Sequence, residues 1–168
     1  MSRLVLVGLP GTGKTTVARA LAELWRCEAV DTDDVLAAAV GKAAAQYLRD
    51  EGEGTFRSRE LEALRAALAD EGDGVIATGG GIVCTPAARE ALAEEFTLWL
   101  DCDDDVILAR LGDVDRPLLT HAPAEALAIL RGERDEWYRE VSRARIDTSV
   151  TLEDVIANVT REVERSTR

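Results

Sequence analysis

Eight residues constrain this chain more than any others: Gly8-Leu9-Pro10-Gly11-Thr12-Gly13-Lys14-Thr15. They match G-x-x-x-x-G-K-[ST] in full, between an apolar run at 4–7 and a segment of helical spacing at 16–25. A strand, a glycine turn and a helix in that order form a cradle for an anion. The glycines let backbone amides approach phosphate oxygens, and the helix directs its positive end at them. Lys14 can reach the β- and γ-phosphates of a nucleoside triphosphate, and the Thr15 hydroxyl can ligate Mg²⁺. The chain has only two lysines, Lys14 and Lys42, against eighteen arginines, so position 14 calls for a compact ammonium. The candidate ATP contacts here are Gly8, Gly11, Thr12, Gly13, Lys14, Thr15 and Thr16.

The rest of the chain alternates strand and helix. Strands are predicted at 4–7, 28–31, 75–77, 96–100 and 145–147. Helices are predicted at 16–25, 34–40, 55–70, 106–111, 124–142 and 152–164, with another opened by Pro86. Asp103-Asp104-Asp105 places acidic residues at the positive end of the 106–111 helix. A polar, proline-marked segment, 112–123, precedes the longest helix. Five strands separated by helices predict a parallel sheet covered on both faces, in one domain of 168 residues. Ligands of such sheets gather beyond the carboxyl ends of the strands.

Composition excludes several classes of function. A net charge of −12 argues against a nucleic-acid backbone or an anionic membrane as partner. No apolar run approaches the roughly 20 residues of a membrane span. Cys27, Cys84 and Cys102 form neither a CxxC pair nor a disulfide framework, and Cys84 reads as a small filler. The expectation is a cytoplasmic monomer acting on small molecules.

Three further clusters follow strands or lie on helices. Asp31 and Asp33 stand two apart after the second strand, a spacing that points both carboxylates the same way. Beside a magnesium triphosphate, Asp31 would support the metal and Asp33 would hold the acceptor hydroxyl and take its proton. Helix capping by Thr32 or Asp33 competes as an explanation for one of these positions. Arg57 and Glu60, three apart on a helix, can pair, with Glu60 holding the guanidinium in place. Gly79-Gly80-Gly81 offers amides without side chains after the third strand.

Taken together, the phosphate loop, Asp31-x-Asp33, Phe56-Arg57-x-x-Glu60, Ala77-Thr78-Gly79-Gly80-Gly81 and Arg116-Pro117-Leu118-Leu119 resemble the shikimate kinases in order and approximate spacing. The resemblance implies a three-layer α/β fold of the P-loop NTPase type, with a five-stranded parallel sheet of order 2-3-1-4-5. It also implies a helical acceptor-binding subdomain at about 34–70 and a mobile lid at about 112–123. The implied activity is transfer of the γ-phosphoryl group of ATP to a hydroxyl of shikimate, with Mg²⁺. By match to the family, Arg57 and Arg134 would clamp the shikimate carboxylate, a planar anion suited to a bidentate guanidinium. Asp33 and Gly79–Gly81 would complete the acceptor site. Arg110 would pack on adenine, and Arg116 in the lid would neutralise charge on the transferring group. The lone histidine, His121, reads as an exposed lid residue. The chain departs from the family pattern at Glu136, where proline is usual, and at Ala44 and Leu48, where bulkier residues are commoner. A kinase for another polyol acid such as gluconate, and a nucleotide-binding regulatory protein without turnover, stay open as alternatives.

Overall fold

The computed structural model describes residues 3–70, 72–112 and 122–166. β1 (Leu4–Val7) is the central strand, and all four of its residues are buried. It pairs in parallel with β3 (Gly74–Ala77) on one side and β4 (Phe96–Asp101) on the other. β2 (Glu28–Asp31) and β5 (Ala144–Asp147) form the two edges, giving the order β2-β3-β1-β4-β5. The sheet order and its parallel sense agree with the expectation from sequence.

Alternation along β1 divides the core into two layers, because successive side chains leave opposite faces of a strand. Leu4 and Leu6 pack with Val17, Leu21, Val155 and Val159, from α1 (Lys14–Trp25) and α8 (Leu152–Ser166). Val5 and Val7 pack on the other face with Leu64, Leu92, Ile107 and Leu127. Those residues come from α4 (Glu53–Ala69), α5 (Pro86–Ala93), α6 (Asp104–Leu111) and α7 (Pro123–Val141). A third apolar cluster, Leu36, Tyr47, Phe56 and Ala63, joins α2 (Thr32–Val40), α3 (Ala44–Glu51) and α4 apart from the sheet.

Several boundaries differ from the sequence reading. α1 begins at Lys14 rather than 16, because Gly13, at φ 92°, makes the turn into the helix directly from the loop. α2 begins at Thr32, and its cap is Asp31, whose side chain accepts a hydrogen bond from the Asp33 amide. Neither Thr32 nor Asp33 is the cap, and Asp33 lies in the first helical turn instead of continuing the strand. α3 was absent from the sequence reading: its ends, Ala43 and Gly52, carry no capping side chain, and its apolar face is completed only by α2 and α4. α7 starts at Pro123, taking up the last residue of the expected lid. Residues 113–121 of that segment, Arg116 and His121 among them, lie outside the described residues. Among the described residues, no helix is long and apolar enough to cross a membrane.

Candidate active site

Parallel register brings the strand ends level. Asp31 pairs with Ala77, and Leu6 pairs with Ala77 from the other side. The residues that follow β1, β2 and β3 therefore meet at one edge of the sheet. They line a cavity of about 430 Å³ together with Arg110 and the segment after β5.

The phosphate loop forms its floor. Lys14 is 8% exposed, and its ammonium donates to the carbonyls of Gly8 and Leu9 at 2.8 Å each. Thr12 is fully buried; its hydroxyl donates to Leu9 O at 2.9 Å, which holds the loop in its turn. Gly11, Gly13 and Thr16 line the same cavity. Thr15 Oγ1 donates to Asp31 Oδ2 at 2.6 Å, while Asp31 Oδ1 accepts from the Asp33 amide at 3.0 Å. Asp31 thus caps α2 and touches the phosphate loop at once. A hydroxyl and a carboxylate this close are hard oxygen donors of the kind Mg²⁺ takes.

The glycine run crosses above β3 in close contact with charged side chains. A Cβ on Gly79 would lie 2.6 Å from Glu60 Oε1 and 2.9 Å from Asp33 Oδ1. One on Gly80 would lie 2.7 Å from Pro10 Cδ, and one on Gly81 2.1 Å from Arg57 Nη1. A side chain at any of the three would have to displace these neighbours. The Gly79 amide donates to the buried Thr32 hydroxyl at 3.1 Å, so it is spent on the fold rather than offered to a ligand. Thr32 was not a sequence candidate, and one threonine at a helix start carries no signal that could have singled it out.

Arg57 is held between Glu60 at 2.7 Å and Glu53 at 3.1 Å, and its side chain is 13% exposed. Glu60 is 1% exposed. Burial pushes its carboxyl above the ordinary range, against the pull of Arg57; Asp33 adds to the rise and Arg134 opposes it. Those four groups therefore share one electrostatic neighbourhood. Arg134, 2% exposed, lies on α7 one turn before Tyr138, whose hydroxyl donates to the Gly80 carbonyl. Its acidic neighbours do not neutralise it: Asp135 pairs with Arg131 at 3.4 Å, and Glu136 is exposed.

Arg110 lines the nucleotide side of the cavity and donates to the hydroxyl and carbonyl oxygens of Thr148. Thr148 Oγ1 also donates to Thr12 O at 2.9 Å, tying the segment after β5 to the phosphate loop. Thr148, Val150 and Leu152 line the cavity and were missed from sequence. Their signal was positional only: they follow the last strand at its carboxyl end. Of the sequence candidates, the described ones converge on two adjoining regions, and Arg116 lies outside the described residues.

Comparison with known proteins agrees with this geometry. The family model for shikimate kinase matches residues 10–164. A shikimate kinase of Mycobacterium marinum is 40% identical over 149 residues, covering 88% of this chain and 80% of the relative. One from Corynebacterium glutamicum is 38% identical over 164 residues, 96% of each. Among solved structures, the shikimate kinase of Acinetobacter baumannii in complex with shikimate superposes with a TM-score of 0.93 at 32% identity, covering 99% of this chain and 94% of that one. The chain belongs to the shikimate kinase family.

Proposed function

We propose that this chain transfers the γ-phosphoryl group of ATP to a hydroxyl of shikimate, giving shikimate 3-phosphate. The observation that carries the reading is the meeting, at one sheet edge, of a phosphate loop with a buried Arg57–Glu60–Arg134 cluster, and Asp33 between them. One half suits a nucleoside triphosphate; the other suits a small carboxylate that bears hydroxyls.

In this scheme the loop amides and Lys14 hold the phosphates, with Gly8, Gly11, Thr12, Gly13, Thr15 and Thr16 around them, while Arg110 and the Thr148–Leu152 segment flank the base. Thr15 and Asp31 would hold Mg²⁺, which supplies charge neutralisation on the phosphates when bound. Arg57 and Arg134 grip the acceptor carboxylate, and the amides of Gly80 and Gly81 approach its ring. Asp33 accepts the hydroxyl proton as that oxygen attacks the phosphorus in line. Lys14 and Arg116 offset the charge that develops. Positioning and fixed charge supply most of the acceleration, as is general for phosphoryl transfer. Helices α2 to α4, within 34–70, serve as the acceptor-binding subdomain, and 112–123 as the lid. The reading is of a monomer working in the cytoplasm, where ATP is at hand.

A coupled ADP-release assay with shikimate, quinate, gluconate and no acceptor tests this directly. Shikimate should support turnover and gluconate should not. Equal rates with gluconate would replace shikimate as the acceptor, and no acceptor-dependent ADP release would leave only nucleotide binding.

A further inference from the structure

Arg57 meets two carboxylates that differ in burial and in grip. Glu60 is 1% exposed and accepts a hydrogen bond from Arg57 Nη1 at 2.7 Å. Glu53, with its side chain 61% exposed, accepts one from Nη2 at 3.1 Å. Both lie on α4, three residues after the arginine and four before it. The buried contact fixes the guanidinium, because breaking it would strand a charge away from water. The exposed contact is of a kind that contributes little, since water can replace either partner.

Only part of the guanidinium is used by these two pairs. Arg57 Nε is buried and donates to no acceptor among the described residues. Nε and Nη2 share one edge of the guanidinium, and together they form a fork that a carboxylate can take with both oxygens. Glu53 holds one tooth of that fork and leaves the other unmatched. A buried donor without an acceptor is costly, so a carboxylate that takes both nitrogens gives Arg57 what Glu53 does not.

The local backbone lets Glu53 leave. It is the first residue of α4 and stands between Gly52, at φ 81°, and Gly54, where a Cβ would meet nothing within 4 Å. Gly52 supplies no capping side chain, and glycine is a poor helix former, so this first turn rearranges at low cost.

We propose that Glu53 is a displaceable counter-ion at the acceptor site. It holds Nη2 of Arg57 until the substrate carboxylate takes Nε and Nη2 together, and so it sets acceptor affinity. The inference rests on the assignment of Arg57 to the acceptor carboxylate. An acceptor with a neutral group there cannot fill both positions as an anion does. Glu53 therefore favours acceptors that carry a carboxylate.

The test measures the shikimate dissociation constant, and KM for both substrates, in Glu53→Gln, Glu53→Asp, Arg57→Ala and the two double variants. Position 53 is exposed, so the single variants should keep the wild-type circular dichroism. Glu53→Gln removes the charge and should tighten shikimate about two- to fivefold, the weight of an exposed ion pair, with KM for ATP little changed. Glu53→Asp keeps the charge but is one methylene shorter and loses its reach to Nη2, so it should tighten shikimate too. Neither substitution should alter shikimate binding when Arg57 is already alanine. Discrimination against a shikimate analogue with a neutral amide for its carboxylate should grow in Glu53→Gln, because only the carboxylate gains. Unchanged or weaker shikimate binding in Glu53→Gln overturns the proposal. Tightening by Gln but not by Asp, or equal tightening in the Arg57→Ala background, would make Glu53 a charge that merely repels from a distance, and would overturn it as well. If Arg57→Ala leaves shikimate binding intact, the acceptor assignment falls and the counter-ion with it. If Arg57→Ala weakens binding and only the Glu53 arms fail, the assignment stands without the counter-ion.

Discussion

Asp31 and Asp33 show how two identical side chains come to have different work. Asp31 is committed on both oxygens, to Thr15 and to the α2 amide, which is why the proposed scheme puts it on the nucleotide side. Asp33 sits against Gly79, beside Glu60. Asp33→Asn should therefore lower kcat far more than it weakens ATP binding; equal damage to both would move Asp33 to the metal shell. The proposed scheme puts Arg57 on the acceptor side too, and its guanidinium fills the space a Cβ on Gly81 would take. Arg57→Ala should reduce kcat/KM for shikimate at least about tenfold, with KM for ATP almost unchanged, given the strength of a charge-assisted pair. Arg57→Lys should recover only part of that loss, because an ammonium lacks the planar fork. A full recovery would mean that only charge matters at this position.

At the scale of elements, the central strands carry the stability and set the level at which the site is built. Leu98 on β4 is fully buried in the layer shared with α1 and α8. Leu98→Ala should cost about 2–5 kcal/mol, seen as a lower urea midpoint with an unchanged slope. Leu24, on α1 but 59% exposed, provides the contrast. Leu24→Ala should stay within about 0.5 kcal/mol of wild type, so similar losses at both positions would mean the layer assignment is wrong. The α2–α4 group has its own small apolar cluster, while Leu64 and Ala67 of α4 also pack in the sheet's core.

Across the whole molecule, charge is the dominant unbalanced quantity. A net charge of −12 on 168 residues repels itself in the compact state. Adding sodium chloride from about 0.02 to 0.5 M shortens the screening length severalfold and should raise the melting temperature by about 2–4 °C, equivalent to roughly 1 kcal/mol. Chloride is the suitable salt, since sulfate would also bind the phosphate loop and stabilise by mass action. A fall in melting temperature would show that exposed pairs such as Arg59–Glu62, at 2.6 Å, outweigh the net repulsion.

Local patterns were sufficient for the parts of the protein whose chemistry is contiguous in sequence. The phosphate loop needs only its own eight residues, and the strand–helix alternation with buried apolar runs dictates a parallel sheet, so both were legible in the chain of residues alone. The acceptor side was legible only as separate motifs. That Arg57, Glu60, Asp33 and Arg134 share one neighbourhood depends on parallel register bringing β2 and β3 level and on α7 packing back over the glycine run. Helix α3 could not be read because its stability comes from α2 and α4 rather than from caps or propensity. The α2 cap was read as Thr32 or Asp33 because the helix was expected from 34; it starts at Thr32, which moves the cap to Asp31. Thr32, Thr148 and Tyr138 are the clearest case: the hydroxyl of each hydrogen-bonds to a distant part of the chain, and no local pattern encodes such a partner.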